Sequence, residues 1–484
     1  MLSTLLILCV VIWVPILFYF LIERGFVVLL IWLLIAPVAV NMIQNPSRNP
    51  LFTPQMELDF IERIVFEQNR RNREPSGYLH DSTSIKPKDI LEPTRLLFFT
   101  LALLLLVEKI YRNRQFLPLD RAEFWMIIFS ALLVVNVILQ SVRVANGLKV
   151  ATDAFIVPFL AYAITRRFIS SEARFQQFLW MLIGLGLYVV CIALVERALH
   201  TDLTYRIKGP FIQRNHFSAV MMAVFFMTLL AHMRLSFDWD TLRWAIRWSV
   251  LILAPLGILA TWTRSNWLGF MCGVTVLLLM ARPYLSRGLK LVSIGLILLL
   301  LPGMLIAFQA VVPDEVVTDR LANINTLYAR IGAWLLQLQE GIKHPILGIG
   351  FLNVRQLLGT QHIYFMGIKS ETSSHNCFLA FFVELGIFGL FSYLAMVTAI
   401  IRTGLQQYRE GRWLQDRWVG ICMVSILVAY LVPGLTSTML YVPAISHVYI
   451  FACLGALAGV AGLDRVPSPT SFSLMQRNRA QHVS

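Results

Sequence analysis

The sequence places one titratable imidazole and several fixed cations where a membrane surface is expected. His375 lies in Ser373-Ser374-His375-Asn376, directly ahead of an apolar run from Cys377 to Ile401 that also carries Glu384, Gly386 and Gly389. A histidine at the mouth of a membrane helix can accept a proton near neutral pH, at the depth where a lipid-carried substrate meets a water-borne one. Arg264, in Thr261-Trp262-Thr263-Arg264-Ser265-Asn266, occupies a turn between two apolar blocks that is expected to open on the same surface. Its planar fork suits diphosphate oxygens. Arg206, Lys208 and Arg214 form a basic cluster ahead of another apolar block, and Arg330, in Tyr328-Ala329-Arg330-Ile331-Gly332, stands at the expected start of a loop helix. Several arginines converging in one compartment would make an anion funnel, although spacing does not say which of them converge. A base and fixed cations on one face suggest chemistry on a phosphate-bearing lipid.

Each of these residues also has a plainer reading. Ser373 or Ser374 could cap the incoming helix and leave His375 in the headgroup zone. Arg264 could be a snorkelling guanidinium at a helix end, and the basic cluster could be solvated. Glu384 and Asp153 lie inside apolar blocks, where an ionisable group is either functional or held by a structural hydrogen bond. Gly386 and Gly389 read as close-packing positions. Asp314, Glu315 and Asp319 have no ligand-spaced histidine nearby and read as a solvated loop entrance, so no metal site and no cofactor are expected.

The elements that must position these groups are membrane helices. Of 484 residues, 57% are hydrophobic and 14% charged, with mean hydropathy +0.69, which excludes an ordinary soluble globule. Apolar blocks able to cross a hydrocarbon core of about 30 Å fall near 2–22, 26–43, 95–110, 122–142, 150–165, 175–195, 215–233, 244–263, 265–281, 289–311, 376–401, 416–435 and 444–463. The expected fold is therefore all-α, a polytopic bundle of about 12 to 13 helices. The first block has no basic residue before Arg24 and is expected to be a retained helix rather than a cleaved signal peptide. Six cysteines lie mostly inside apolar blocks, so neither a disulfide framework nor a zinc cluster is indicated.

The net charge of +14 follows a membrane pattern, and no nucleic-acid partner is expected. Basic residues gather in alternate connections: Lys109, Arg112, Arg114 and Arg121; Arg166, Arg167 and Arg174; Arg234, Arg243 and Arg247; Arg282, Arg287 and Lys290; Arg402, Arg409, Arg412 and Arg417. The positive-inside rule makes these cytoplasmic and turns the 143–149, 197–214, 312–375 and 433–443 connections to the other side. Two polar excursions interrupt the pattern. The 44–94 segment mixes charge and apolar residues at helical spacing over Met56–Phe66, as a short interfacial helix would. The 312–375 loop holds a helix over Ile331–Ile342 that His344-Pro345 stops. The organisation expected is an N-terminal transmembrane region over 1–247, a core over 248–402 that includes this loop, C-terminal helices over 403–464, and a disordered tail over 465–484.

Four stretches in order, Gly209-Pro210-Phe211 leading to Asn215-His216-Phe217, Thr263-Arg264-Ser265-Asn266, Arg330 followed by His344-Pro345-Ile346-Leu347-Gly348-Ile349-Gly350, and His375-Asn376 followed by Glu384, Gly386 and Gly389, resemble the O-antigen ligase and Wzy-type polymerase superfamily of bacterial envelope enzymes. The resemblance implies a GT-C-like, metal-independent membrane glycosyltransferase that takes a sugar chain from undecaprenyl diphosphate to lipid A-core or to another glycan. It implies an inner-membrane enzyme with its site facing the periplasm. In the family pattern the loop-end histidine matches His375 and the arginine between adjacent helices matches Arg264. The arginine ahead of the Gly-x-Phe stretch best fits Arg206. A proline commonly precedes the asparagine that is Asn215 here, and this chain has Arg214 instead, so the assignment lies between Arg206 and Arg214. With Arg330, these residues are the expected diphosphate-binding set. His375 would take the proton of the attacking hydroxyl, and a single displacement would invert the anomeric centre. Two other classes stay open: a multi-pass transporter or channel for a small anion, which predicts paired ionisable groups near the bilayer midplane, and a noncatalytic scaffold.

Overall fold

In hydrocarbon an apolar run satisfies its backbone only as a helix or within a closed barrel, and this chain takes the helical solution. The computed structural model describes residues 24–37, 93–112, 118–199, 207–211, 213–234, 241–284, 325–361, 363–370, 374–411, 413–437 and 445–463. Within them run α1 (Arg24–Pro37), α2 (Pro93–Arg112), α3 (Arg121–Gln140), α4 (Val144–Phe168, with a π turn at Thr152–Ile156), α5 (Glu172–Leu199), α6 (Arg214–Arg234), α7 (Thr241–Ala260) and α8 (Arg264–Ala281). The loop helices α9 (Asn325–Lys343) and α10 (Asn353–Thr360) follow, then α11 (Cys377–Glu410), α12 (Leu414–Leu431) and α13 (Ile445–Leu463). Nine helices among the described residues are long and apolar enough to cross a membrane. The protein is thus an all-α polytopic membrane protein, with one small addition, a two-residue antiparallel hairpin of β1 (Tyr364–Phe365) and β2 (Ile368–Lys369). The expected blocks at 2–22 and 289–311, nearly all of the 44–94 excursion, and the 465–484 tail lie outside the described residues.

Small residues set the closest helix contacts. On α13, a Cβ at Gly455 would stand 2.3 Å from the Tyr162 carbonyl oxygen and one at Gly459 2.7 Å from that of Arg166, so α4 and α13 approach at backbone distance. Beside them Phe129, Phe155, Phe159, Phe381 and Tyr393 form a cluster of tilted and edge-on rings that joins α3, α4 and α11. Exposed Ile138, Ile252, Leu256, Leu279, Phe388 and Phe391 give the spanning helices apolar outer faces suited to lipid.

The charged connections sort to one end of the bundle. There Arg166 Nη1 lies 3.0 Å from Glu123 Oε2, Arg234 Nη2 lies 2.8 Å from Glu172, and Arg417 Nη1 donates to the Tyr284 hydroxyl at 3.0 Å. The opposite end carries Ile207, Arg264, Arg330 and His375. Two expectations change. Arg402 and Arg409 sit on α11, which runs as far as Glu410, because no breaker interrupts Ile387–Glu410. The 143–149 connection is mostly the start of α4, reached after only Ser141-Val142-Arg143.

α11 is broken. At Gly386 the backbone turns to φ 69° and ψ −168°, a conformation open almost only to glycine. The break leaves backbone groups that would each cost several kcal/mol unpaired in a membrane. The loop's Pro345–Phe351 segment fills them: Ile349 N donates to Val383 O at 2.8 Å, Gly350 N to Glu384 O at 3.0 Å, and Ile387 N to Pro345 O at 2.8 Å. A Cβ at Gly386 would lie 2.0 Å from Ile346 O, and one at Gly348 2.3 Å from Glu384 C. Gly386 is therefore the break that seats the loop, not a site of helix-to-helix packing.

Candidate active site

Glu384 and Asn136 anchor the loop from the spanning helices α11 and α3. The Glu384 carboxylate accepts Leu352 N and Val354 N, each at 2.9 Å, and so caps α10. Of its two readings from sequence the structural one holds, with a loop rather than a neighbouring helix as partner. Asn136 donates to Leu347 O at 2.8 Å and accepts from Phe351 N at 2.8 Å. Asp153, the other ambiguous carboxylate, holds the Arg95 guanidinium through both oxygens, with Arg95 Nη2 2.6 Å from Oδ2.

From this seat α9 runs back over the bundle, its end at Lys343 matching the expected stop at His344-Pro345. It begins at Asn325, so Arg330 stands inside the helix rather than at its start. Arg330, Trp334 and Gln337 are four and three residues apart and share one face. Trp334 Nε1 donates to the Ser374 carbonyl at 2.7 Å, and Ser374 Oγ donates to Gln337 Oε1 at 2.8 Å. Arg330 Nη1 reaches Thr436 O, just beyond α12, at 3.3 Å.

His375 sits between two fixed neighbours. Ser374 is held by α9, and Asn376 caps α11 by accepting Leu379 N at 3.0 Å. The cap is Asn376 and not Ser374, whose hydroxyl is used on α9. This pinning puts His375 in the left-handed region, φ 47°, where histidine is among the better-tolerated side chains. Its side chain is half-buried, so it is both positioned and reachable.

Arg264 opens α8 and is exposed. The turn that presents it is rigid: Thr261 Oγ1 donates to Ile258 O at 2.7 Å, Trp267 Nε1 to the same oxygen at 3.1 Å, and Ser218 Oγ on α6 to Thr261 Oγ1 at 3.1 Å. Arg264 stands close enough to Arg330 for the two charges to repel. Two like charges held together favour an anion between them. Arg214 opens α6, and its neighbour Asn215 accepts from Asn266 Nδ2 at 3.3 Å, so the positive N-terminal ends of α6 and α8 are tied side by side.

Of the residues singled out from sequence, Arg264 and Arg330 are thus brought together. His375 is tied to Arg330 through α9, and Arg214 is brought to the same end of the bundle. Arg206, Asp314, Glu315 and Asp319 lie outside the described residues. The stretch after Arg206 is clamped: Ile207 N donates to Ala260 O at 3.3 Å, and Gly209 N to Glu196 Oε2 at 2.7 Å. Glu196, Asn136, Trp334 and Gln337 were not anticipated. The Arg330, Trp334, Gln337 spacing is the signal that could have found the last two.

Residues 248–394 match the family model described as O-antigen ligase. That stretch is similar to an O-antigen ligase domain. Arg264, Arg330, His375, Glu384 and Gly386 all fall inside the matched stretch, whereas Arg206 and Arg214 precede it. No curated protein matches the chain. The match supports a membrane glycan ligase or polymerase family, whose members act on glycans and lipid-linked substrates at a bilayer.

Proposed function

We propose that the O-antigen ligase domain transfers a saccharide chain from an undecaprenyl-diphosphate carrier to an acceptor hydroxyl, on the periplasmic side of a bacterial inner membrane. The observation that carries this reading is the hydrogen bonding that ties α9, with Arg330 on it, to Ser374 beside His375, at the same end of the bundle where Arg264 opens α8. In the reaction His375 takes the proton of the acceptor hydroxyl. The hydroxyl oxygen bonds to the anomeric carbon as the bond to the carrier diphosphate breaks, inverting that centre. The diphosphate leaves with the electron pair, and Arg264, Arg330 and one or both of Arg206 and Arg214 stabilise its growing charge. A positioned base contributes about a hundred to ten thousandfold, and alignment with electrostatics supplies the rest. The catalytic core proposed is 248–402, with 1–247 and 403–464 supplying transmembrane helices and 465–484 a cytoplasmic tail.

Away from the charged end of the bundle, the anion-transport reading finds among the described residues the pair Arg95 with Asp153, but both carboxylate oxygens are occupied by the guanidinium, which makes it a staple between α2 and α4. The test is incubation of purified protein with a lipid-linked oligosaccharide, alone and with lipid A-core. A ladder indicates a polymerase and a single transfer product a ligase. No product with either would reject glycosyl transfer.

A further inference from the structure

The loop helix α9 has a second face that the site does not use. Ala333, Leu336 and Gln337 turn into the protein, where Ala333 and Leu336 pack with Val354, Leu358 and Val383. Leu327, Leu335, Leu338 and Ile342 fall together on a different arc and are exposed, and Ile346 and Leu347 prolong this apolar surface past the helix end. Such a stripe beside water would be unfavourable by about 25 cal/mol for each Å² of apolar area.

Three contacts show how α9 lies. Near its start Arg330 is bonded to Thr436, immediately beyond the end of the spanning segment Leu414–Gly434. After its end Pro345 is bonded to Ile387, and the segment that follows is bonded to Asn136 and Gln140, the last turn of the spanning helix Arg121–Gln140. Between these points Trp334 is bonded to Ser374, three residues ahead of the start of α11. Both ends of a helix roughly 20 Å long between its anchors, at about 1.5 Å per residue, are therefore fixed at the level where spanning helices end. The helix runs along that level instead of rising from it. Its exposed stripe continues, through Ile346 and Leu347, onto exposed Ile387, Phe388 and Phe391, the outer face of a spanning helix.

We propose that α9 is an interfacial helix whose Leu327, Leu335, Leu338 and Ile342 face rests in the acyl boundary of the bilayer, continuous with the lipid-facing side of α11. The occupant is bilayer lipid, because among the described residues the surface that the stripe joins is one that lipid covers in a membrane-spanning protein. Lys343, exposed and paired through Nζ with Glu340 Oε1 at 2.6 Å, lies off the stripe on the polar side of the helix. Held this way, Arg330 faces its partners at headgroup depth.

The test is photo-crosslinking of the full chain reconstituted in vesicles of phosphatidylethanolamine and phosphatidylglycerol. The photoreactive residue p-benzoylphenylalanine is placed singly at Leu335, Leu338, Ile342 and Leu347, with Lys343 as the comparison site. Phospholipid adducts, read by mass spectrometry, are expected to be the main product at the four apolar positions and several-fold weaker at Lys343. Cross-linked dimers would assign the face to a second copy, intrachain cross-links to another segment of this chain, and absence of adducts to water. Each of these overturns the proposal. Four independent positions guard against one that disturbs folding, and lipid contact is read whether or not the protein transfers glycan.

Discussion

Trp334 donates its indole N–H to the carbonyl oxygen of Ser374, 2.7 Å away, so α9 and the residue preceding His375 are one mechanical unit. A single neutral hydrogen bond contributes about 1 kcal/mol. Its larger effect is on alignment, since a shift of about 1 Å at a reacting group can lower a rate by about a hundredfold. Trp334→Phe keeps the aromatic bulk and removes the donor. Transfer should fall about tenfold or more in kcat with KM for the acceptor nearly unchanged, roughly 1.4 kcal/mol in the barrier. Initial rates at matched membrane levels decide it, and a wild-type kcat would leave Trp334 a packing residue only.

Replacing His375 separates a base from a fold element. Its left-handed backbone, φ 47°, is one that asparagine adopts readily, so His375→Asn removes the base with little strain. Transfer should drop by about a hundredfold or more for both His375→Asn and His375→Ala. The asparagine variant should match wild type in melting temperature. Activity near wild type in either variant, at equal protein level, would remove His375 from the mechanism.

Much of the fold was legible because hydrocarbon leaves the backbone one simple local option, so runs such as Arg214–Arg234 and Arg264–Ala281 announce themselves as helices. His375, Arg264 and Arg330 could be singled out by residue type and place. What stayed hidden was convergence, which depends on contacts far apart in sequence. Asn136 meets Phe351, and Trp334 meets Ser374, by routes no local pattern encodes. Gly386 was read as packing because a glycine in an apolar run usually is. Only the loop's backbone lying against it shows that it breaks the helix.

That break makes its own prediction. An alanine Cβ at Gly386 would sit 2.0 Å from Ile346 O, and the backbone there has φ 69°. Gly386→Ala should unseat Pro345–Phe351, abolish transfer and lower the melting temperature together. Glu384→Gln is gentler, since the amide retains one acceptor for Leu352 N or Val354 N; it should destabilise by about 1 to 3 kcal/mol. Thermal unfolding in detergent measures both, and an unchanged melting temperature for Gly386→Ala would contradict the seating role.

Chelation tests whether the arginines carry the charge of the leaving diphosphate unaided. Among the described residues no group of three or more His, Cys, Asp and Glu side chains is placed to hold a metal ion. Transfer is expected to continue in excess EDTA. Complete loss, with recovery on adding magnesium or manganese, would overturn this and turn attention to Asp314, Glu315 and Asp319.

Arg264 gives the most discriminating experiment, because a membrane-edge cation and a diphosphate clamp respond differently to a change that keeps the charge. A cation that only marks the edge can be replaced by lysine, whose ammonium also reaches the headgroups. A guanidinium that grips two diphosphate oxygens through parallel hydrogen bonds cannot, since lysine is a point charge without the fork. The rigid turn that presents Arg264, held by Thr261, Trp267 and Ser218, favours the second role, because an edge marker needs no fixed backbone. Arg264→Lys is expected to lose at least about tenfold in transfer, about 1.4 kcal/mol in the barrier, and Arg264→Ala more. The measurement is the initial rate across donor concentrations at saturating acceptor, with protein level checked by blot. Full activity in the lysine variant would return Arg264 to the membrane edge and leave Arg206, Arg214 and Arg330 to hold the donor.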